Sequence, residues 1–353
     1  MSVFVVALAA LFVVACAQTP AAPAEPAAEA PAAEEAATEA PAEEASEPAM
    51  ASGEITMARA TWDTGWFQAA VYQTLLGELG YDVELAGDLP AETFYPALAN
   101  RDIDFWPNGW FPLHNTFLDR DIVAGKVEPV GYQVQAGALQ GFLVDMASAE
   151  QYGITNLTDF TDPEIAAAFD TDGDGKADLT GCDAGWGCEG RINEILADLE
   201  LEDSITHVQG TYSLLMADTI ARYQRGEPIL FYTWTPNWTV SELKIGEDVL
   251  WITVPGTEPS EGIAGCTEDP CAMGFVANDI RTVANIEFLE EFPAAKVLFE
   301  QVEIPLEDIA AENQLLVDGE DSEEDIAGHA ASWIEENRDQ VDEWLSVARE
   351  AIQ

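Results

Sequence analysis

The spacing of apolar residues predicts alternating strands and helices from residue 54 onwards. Residues 55–60 are typical of a buried strand, residues 67–79 carry one apolar helical face that ends at Gly80, and residues 81–85 alternate as a second strand. A helix over 92–100 and a strand over 103–106 continue the series. Because this order is typical of parallel sheets flanked by helices, it predicts an α/β fold.

A second series of elements follows residue 145. Asp162 and Pro163 form an N-cap and first-turn pair that predicts a helix start. A helix over 189–201, a strand over 205–208, a helix over 212–225 and a strand over 229–234 come next. Apolar positions at helical spacing over 323–353 predict a tail that packs on the first series. We therefore expect two lobes, lobe 1 from residues 54–140 and 250–353 and lobe 2 from residues 141–249.

The first 16 residues form an apolar run that ends in Val-Val-Ala before Cys16. This pattern is typical of a bacterial lipoprotein signal peptide, which is cut before a cysteine that then carries a lipid. The run lacks the Lys or Arg that such signals carry near Met1. An ordinary signal peptide with a coincidental cysteine, or a wrongly assigned start codon, is the alternative.

Residues 17–53 consist almost entirely of Ala, Pro and Glu, which predicts a disordered tether. Since eight of the 66 acidic residues lie there, 58 acidic and 13 basic residues remain elsewhere, leaving about 45 net negative charges. Charge of this sign excludes nucleic acid as a partner. No later segment has the roughly 18 consecutive apolar residues of a spanning helix, so we expect attachment to the membrane through the lipid alone.

The five cysteines divide into one residue for the lipid and two close pairs. Outside the cytoplasm, Cys182 with Cys188 and Cys266 with Cys271 are most simply interpreted as disulfides. A thiolate metal site would need closer cysteine pairs than these.

Three tryptophans, Trp110, Trp186 and Trp234, lie in glycine- or proline-containing segments at predicted strand-to-helix junctions. Ligands of open α/β sheets bind at the carboxyl ends of strands, so the three indoles can converge on one crevice. Aromatic faces attract a quaternary ammonium, which has no N–H to donate, by about 0.5–2 kcal/mol each. From spacing alone, Trp234 is equally typical of a core residue, and Trp238, Trp333 and Trp344 are interpreted as packing residues.

Three stretches carry a family resemblance: NGWFPLH, DTDGDGKADLTGCDAGWGCEG and MADTIARYQRGEPILFYTWTPNW. With them, the chain from about residue 54 to its end resembles the extracytoplasmic glycine betaine/proline betaine-binding proteins of osmoprotectant ABC importers. The resemblance implies a two-lobed, type II periplasmic-binding-protein-like fold, in which each lobe is a mixed sheet flanked by helices and a hinge joins the lobes. It also implies a monomer that delivers its ligand to a membrane permease.

The resemblance assigns six residues to the ligand. The quaternary ammonium would lie in a box of Trp110, Trp186 and Trp234. The ligand carboxylate would be held by the side chain of His114 and the backbone amides of Gly187 and Cys188. Without the resemblance, His114 would be interpreted as a surface or capping histidine.

Trp62, Asp63 and Trp66 follow the first predicted strand and could line an additional part of the same pocket. A carboxylate at Asp63 would suit choline, which has no carboxylate of its own. A receptor for choline or another quaternary ammonium is therefore the alternative to a betaine receptor.

A run of aspartates has the spacing of positions 1, 3, 5 and 9 of a calcium loop: Asp170, Asp172, Asp174 and Asp178. Gly175 matches the glycine at position 6, but Gly181 stands where such loops carry a bidentate Glu. A structural Ca²⁺ and a simple acidic turn are both open, and no other cofactor is expected.

Enzymatic activity is not expected, since the three histidines His114, His207 and His329 lie in no triad-like context. A hydrolase is therefore a remote alternative. A passive surface module is another, which would explain an anchor and a tether but not the three loop tryptophans.

Overall fold

The structure, a computed structural model, describes residues 50–352. The predicted signal peptide, Cys16 and nearly all of the predicted tether lie outside this range. The strands are β1 Glu54–Ala60, β2 Asp82–Leu89, β3 Phe105–Phe111, β4 Val127–Asp145, β5 Ala177–Thr180, β6 Ile205–Val208, β7 Leu230–Thr235, β8 Val249–Ile252 and β9 Asn278–Asn285.

The helices flank these strands and alternate with them along the chain. They are α1 Trp66–Leu79, α2 Ala91–Ala99, α3 Asn115–Leu118, α4 Met146–Tyr152, α5 Pro163–Ala168, α6 Gly187–Asp198, α7 Tyr212–Gln224, α8 Thr239–Glu242, α9 Ile286–Glu291, α10 Pro293–Gln301, α11 Leu306–Val317, α12 Glu323–Glu336 and α13 Arg338–Arg349. None of these described helices is both long and apolar enough to cross a bilayer.

The long strand β4 joins two groups of strands. Its residues 127–138 pair with β9, which continues through β3 and β1 to β2. Its residues 139–145 pair with β7 and β8, and β7 continues through β5 to β6. Parallel pairs, such as β1 with β2 and β5 with β6, occur beside antiparallel ones in each group. The predicted α/β class with mixed sheets flanked by helices is confirmed.

The strand β8 spans the predicted lobe boundary at residues 249 and 250. All of it pairs with the second part of β4, so this strand belongs to the second group. The described residues form one compact unit, and the division into two lobes stays a prediction.

Several element ends follow from local chemistry that the sequence shows. Helix α1 ends at Gly80, whose φ of 110° is a left-handed conformation that favours glycine. Asp162 caps α5 by accepting a hydrogen bond from the Glu164 amide, and Pro163 fills the first turn. Helix α6 begins at Gly187, two residues before the predicted start.

The C-terminal helices α12 and α13 pack on α1 and α10, beside the first group of strands. The Trp333 ring lies 6.0 Å from Phe67 of α1, and its centroid lies 6.4 Å from that of Trp344. Arg338 forms an ion pair with Glu78 of α1 at 2.8 Å. Trp333 and Trp344 are packing residues, as the sequence predicts.

Candidate functional site

Four tryptophans of the described chain, each no more than 6% exposed, line a small cavity between the two groups of strands. Trp62 follows β1, Trp110 lies near the end of β3, Trp186 is the N-cap of α6, and Trp234 lies in β7. The Trp186 ring lies 5.1 Å from Trp62 and 5.7 Å from Trp234, at interplanar angles of 73° and 74°. The rings therefore meet at nearly right angles, as the walls of a box.

The indole N–H groups of Trp62 and Trp110 both donate to the same acceptor. Their distances to the Asn108 Oδ1 atom are 2.7 and 2.8 Å. Because Asn108 is buried, this shared bond fixes both ring orientations.

The other two indoles donate to threonines that follow β1. Trp186 donates to the Thr61 hydroxyl at 2.7 Å, and Trp234 donates to the Thr64 hydroxyl at 3.2 Å. Trp186 and Trp234 belong to the second group of strands and its helices, whereas Thr61 and Thr64 follow β1 of the first group. Both hydrogen bonds therefore join the two groups. With all four N–H groups bound to the protein, the box can offer its ring faces to a ligand.

His114 lies at the end of the box, with its ring 2% exposed. Its Nδ1 atom accepts from the Trp110 amide, which can only donate, at 3.3 Å, and lies 3.0 Å from the Tyr95 hydroxyl. An Nδ1 that accepts places the ring proton on Nε2, which has no hydrogen-bond partner among residues 50–352. Burial lowers the pKa of His114 to about 3, so the imidazole is a neutral donor.

The N-terminus of α6 supplies further donors beside His114. The amides of Gly187 and Cys188 have no hydrogen-bond partner within the described chain, and no side chain caps this helix. The N-terminus of a helix as long as α6, which has 12 residues, favours a negative group. A Cβ atom at Gly187 would lie 2.9 Å from the His114 Cδ2 atom, so glycine permits this close approach.

The cysteine pairs form the two predicted disulfides, Cys182–Cys188 and Cys266–Cys271. The first bond ties the loop before Trp186 to the first turn of α6. It holds the indole and the two free amides on one short, cross-linked segment.

Of the three additional pocket residues considered from the sequence, the structure places Trp62 on the cavity but not Asp63 or Trp66. The Asp63 carboxylate accepts from the Thr64 amide at 2.8 Å, and burial raises the pKa of Asp63. The Trp66 ring is covered by the Arg59 guanidinium at 4.3 Å.

Three cavity residues were missed from the sequence: Leu113, which directly precedes His114, Gln140 of β4 and Tyr232 of β7. Tyr232 precedes Trp234 by two positions in the same strand and therefore shares its face, which is a signal that the sequence contains. Gln140 lies opposite Trp234 across the β4–β7 pair, and only the strand pairing reveals this.

The predicted calcium residues are only partly brought together. Carboxylate oxygens within 4.8 Å of one another come from Asp170, Asp172 and Asp174. Asp178 is buried and instead accepts from the Thr171 amide at 2.8 Å. Both Asp170 oxygens accept backbone N–H groups of their own loop, which lowers the pKa of Asp170. These contacts are those of an acidic turn, and the calcium hypothesis gains no support from them.

The box encloses about 30 Å³, and an open groove of about 1150 Å³ adjoins it. Leu113, Trp186 and Gly187 line both spaces. The groove therefore lies directly beside the box, along these three residues.

The mixed α/β fold and the aromatic box define a substrate-binding protein of a membrane transport system. Residues 53–336 match the family described as the substrate binding domain of ABC-type glycine betaine transport system, and this chain belongs to that family.

Curated relatives of known sequence cover most of the chain. The chain is 43% identical over 284 residues to the glycine betaine/proline betaine-binding periplasmic protein of Escherichia coli strain K12, covering 80% of this chain and 86% of that one. It is 41% identical over 288 residues to the glycine betaine-binding periplasmic protein OusX of Dickeya dadantii, with 81% and 86% covered.

Solved structures share the fold at lower sequence identity. The glycine betaine, L-proline-binding protein ProX of Borrelia burgdorferi gives a TM-score of 0.67 at 17% identity, covering 85% of this chain and all of that one. Lactococcal OpuAC, in its closed form with glycine betaine, gives 0.63 at 19% identity, covering 83% and 99%. The predicted type II periplasmic-binding-protein fold is confirmed.

Proposed function

We propose that this protein captures glycine betaine or proline betaine in the tryptophan box and delivers it to the permease of an ABC importer for osmoprotection. The observation that carries the proposal is that two chemically different sets of groups line the same cavity. Ring faces of Trp110, Trp186 and Trp234 adjoin the uncharged donors of His114, Gly187 and Cys188. A betaine carries a quaternary ammonium and a carboxylate a short distance apart, one group for each of these two sets of residues.

The magnitudes require both sets of groups. Each aromatic face contributes about 0.5–2 kcal/mol to binding a quaternary ammonium. The four faces of the box reach the roughly 8 kcal/mol of a micromolar complex only if each of them contributes its maximum. Hydrogen bonds to the carboxylate, at about 1.5–3 kcal/mol each, supply the difference.

Ligand uptake requires the box to open, because the four tryptophans that line it are each no more than 6% exposed. Opening separates the two groups of strands and breaks the Trp186–Thr61 and Trp234–Thr64 hydrogen bonds. Strand β4 passes from one group to the other at residues 138 and 139, where a hinge would lie. The closed form would then be the one that the permease recognises.

Choline is the second candidate ligand, and a choline-binding protein complexed with choline shares the fold at a TM-score of 0.67 and 19% identity. The polar groups at the end of the box favour betaine, because His114 Nε2 and the two amides of α6 are donors suited to a carboxylate. The carboxylate of Asp63, which would favour choline, does not line the cavity.

Several further properties belong to the same proposal. Both relatives named above are periplasmic proteins, which supports a location outside the cytoplasm. Cys16 would carry the lipid, residues 17–53 would form the tether, and the receptor would act as a monomer without cofactor or enzymatic activity. His207 hydrogen-bonds Asn193, and His329 lies between two glutamates, so neither is paired with a nucleophile.

The direct test is isothermal titration calorimetry of the purified protein with glycine betaine, proline betaine and choline. We expect both betaines to bind at least about tenfold more tightly than choline, since the hydroxyl of choline cannot satisfy donors placed for a carboxylate. Tighter binding of choline would reverse the ranking of the two candidates. Heat from none of the three ligands would reject the proposed function.

Betaine affinity is expected to stay constant between about pH 8 and pH 5, because burial keeps the pKa of His114 at about 3 and the donor neutral. Stability behaves differently. The unfolded chain gains a proton on this histidine below about pH 6.5 whereas the folded chain does not, so the free energy of unfolding falls as the pH falls from about 6.5 towards 3. Calorimetry across this range checks the affinity. A tenfold rise in affinity towards pH 5 would mean that an imidazolium holds the carboxylate.

A further inference from the structure

Gln140 is a buried polar residue of the box to which no role has yet been given. Its side chain lines the cavity and the residue is 2% exposed. It lies opposite Trp234 in the β4–β7 pair, directly after the point where β4 passes to the second group of strands.

Only one end of the Gln140 amide is satisfied by the protein. The Tyr232 hydroxyl donates to Oε1 at 2.6 Å, and Nε2 has no partner in the described part of the chain. Burial raises the pKa of Tyr232 well above its ordinary value, so this hydroxyl keeps its proton and acts as the donor. The bond to Oε1 fixes the amide and leaves its buried N–H group without an acceptor in the described part of the chain.

A buried donor without an acceptor is unfavourable, and native proteins rarely keep one without a use. The contrasting residue is Gln133, which lies in the same strand with 1% exposure. Its Nε2 donates to the Pro107 carbonyl at 3.0 Å, and it does not line the cavity. The free donor of Gln140 is therefore not a general feature of buried glutamines in β4.

With Gln140, the residues that line the cavity carry four uncharged donors without a partner in residues 50–352: His114 Nε2, the amides of Gly187 and Cys188, and Gln140 Nε2. A carboxylate has about four lone-pair positions and can accept from all four. A hydroxyl accepts at most two hydrogen bonds and needs an acceptor for its own proton. No lysine or arginine among residues 50–352 lines the cavity, so the match depends on donor number rather than on net charge.

We infer that Gln140 donates the fourth hydrogen bond to the ligand carboxylate and thereby determines the preference for betaines over choline. The inference rests on the proposed function, since it assigns a further contact in the same box. If the Gln140 amide had the opposite orientation, its Oε1 atom would face the ligand. The side chain would then attract the quaternary ammonium rather than the carboxylate. The two orientations predict opposite effects of a negative charge at this position.

The test uses calorimetry with glycine betaine and choline on Gln140→Met, Gln140→Glu and the matched control Gln133→Met. We expect Gln140→Met to weaken betaine at least about tenfold and choline by less than about threefold, because only the carboxylate loses a donor. Gln140→Glu should weaken betaine about a hundredfold or more and leave choline as tight or tighter. Gln133→Met should leave the ratio of the two affinities unchanged.

Three results would overturn the inference: unchanged betaine affinity in Gln140→Met, equal losses for both ligands, or tighter betaine binding by Gln140→Glu. Thermal unfolding of each variant separates a folding defect from a binding defect, and the betaine-to-choline ratio within one variant is independent of the folded fraction. Wild-type protein that binds neither ligand would reject the proposed function itself. Wild-type binding without an effect at Gln140 would reject this inference alone.

Discussion

Replacing Trp186 by alanine is expected to weaken glycine betaine binding at least tenfold. The substitution removes one aromatic face, worth about 0.5–2 kcal/mol, and also the ring that contacts both Trp62 and Trp234. It further removes the hydrogen bond to Thr61 that joins the two groups of strands in the closed box. Isothermal titration calorimetry gives the dissociation constant directly.

Two further variants make the Trp186 result specific. Trp186→Phe keeps a face, although a weaker one, and should retain more affinity than the alanine variant. Trp333→Phe alters a tryptophan that packs between helices α1, α12 and α13 and does not line the cavity. It should therefore change thermal stability without changing the dissociation constant. Wild-type affinity in Trp186→Ala would reject the box as described.

The second large effect is expected for His114→Ala, which should weaken glycine betaine about tenfold to a hundredfold. The variant loses the Nε2 donor that the Tyr95 and Trp110 contacts orient towards the cavity. A hydrogen bond to a charged group contributes about 1.5–3 kcal/mol, which corresponds to this range of affinities. Choline has no carboxylate, so its affinity should change far less.

Choline is also the internal control for the His114 variant. The imidazole packs against aromatic rings that include Trp62 and Trp106, and its removal could disturb the box as a whole. Such a disturbance would weaken both ligands. Equal losses for betaine and choline would therefore show that another group holds the carboxylate.

Much of the fold could be predicted from the sequence, because its signals are local. The glycine stop after α1, the Asp162 cap of α5 and the strand β6 lie where spacing and capping place them. The indoles Trp110, Trp186 and Trp234 could be grouped for two reasons. Each lies in one of the three stretches that resemble the family, and each lies at a predicted strand-to-helix junction, where ligands of open α/β sheets bind. Their convergence with His114 follows from the family resemblance rather than from spacing.

The remaining site residues depend on contacts that no local pattern contains. Asn108 orients two indoles through one carbonyl oxygen, and Gln140 reaches the cavity only through the antiparallel pairing of β4 with β7. Asp63 follows the first strand and is therefore a candidate for the pocket, yet its carboxylate accepts from the Thr64 amide and does not line the cavity. The aspartate run has calcium-loop spacing, but Asp178 turns inward to Thr171.

The most direct test of the aromatic box compares glycine betaine with its carbon isostere, in which a tert-butyl group replaces the trimethylammonium. The two ligands share shape and carboxylate, so their difference isolates the attraction between the positive charge and the indole faces. Calorimetry at high salt limits the general repulsion of an anion by this acidic protein. The box predicts that the isostere binds at least about tenfold more weakly. Equal affinities would contradict it, because shape and the carboxylate alone would then explain binding.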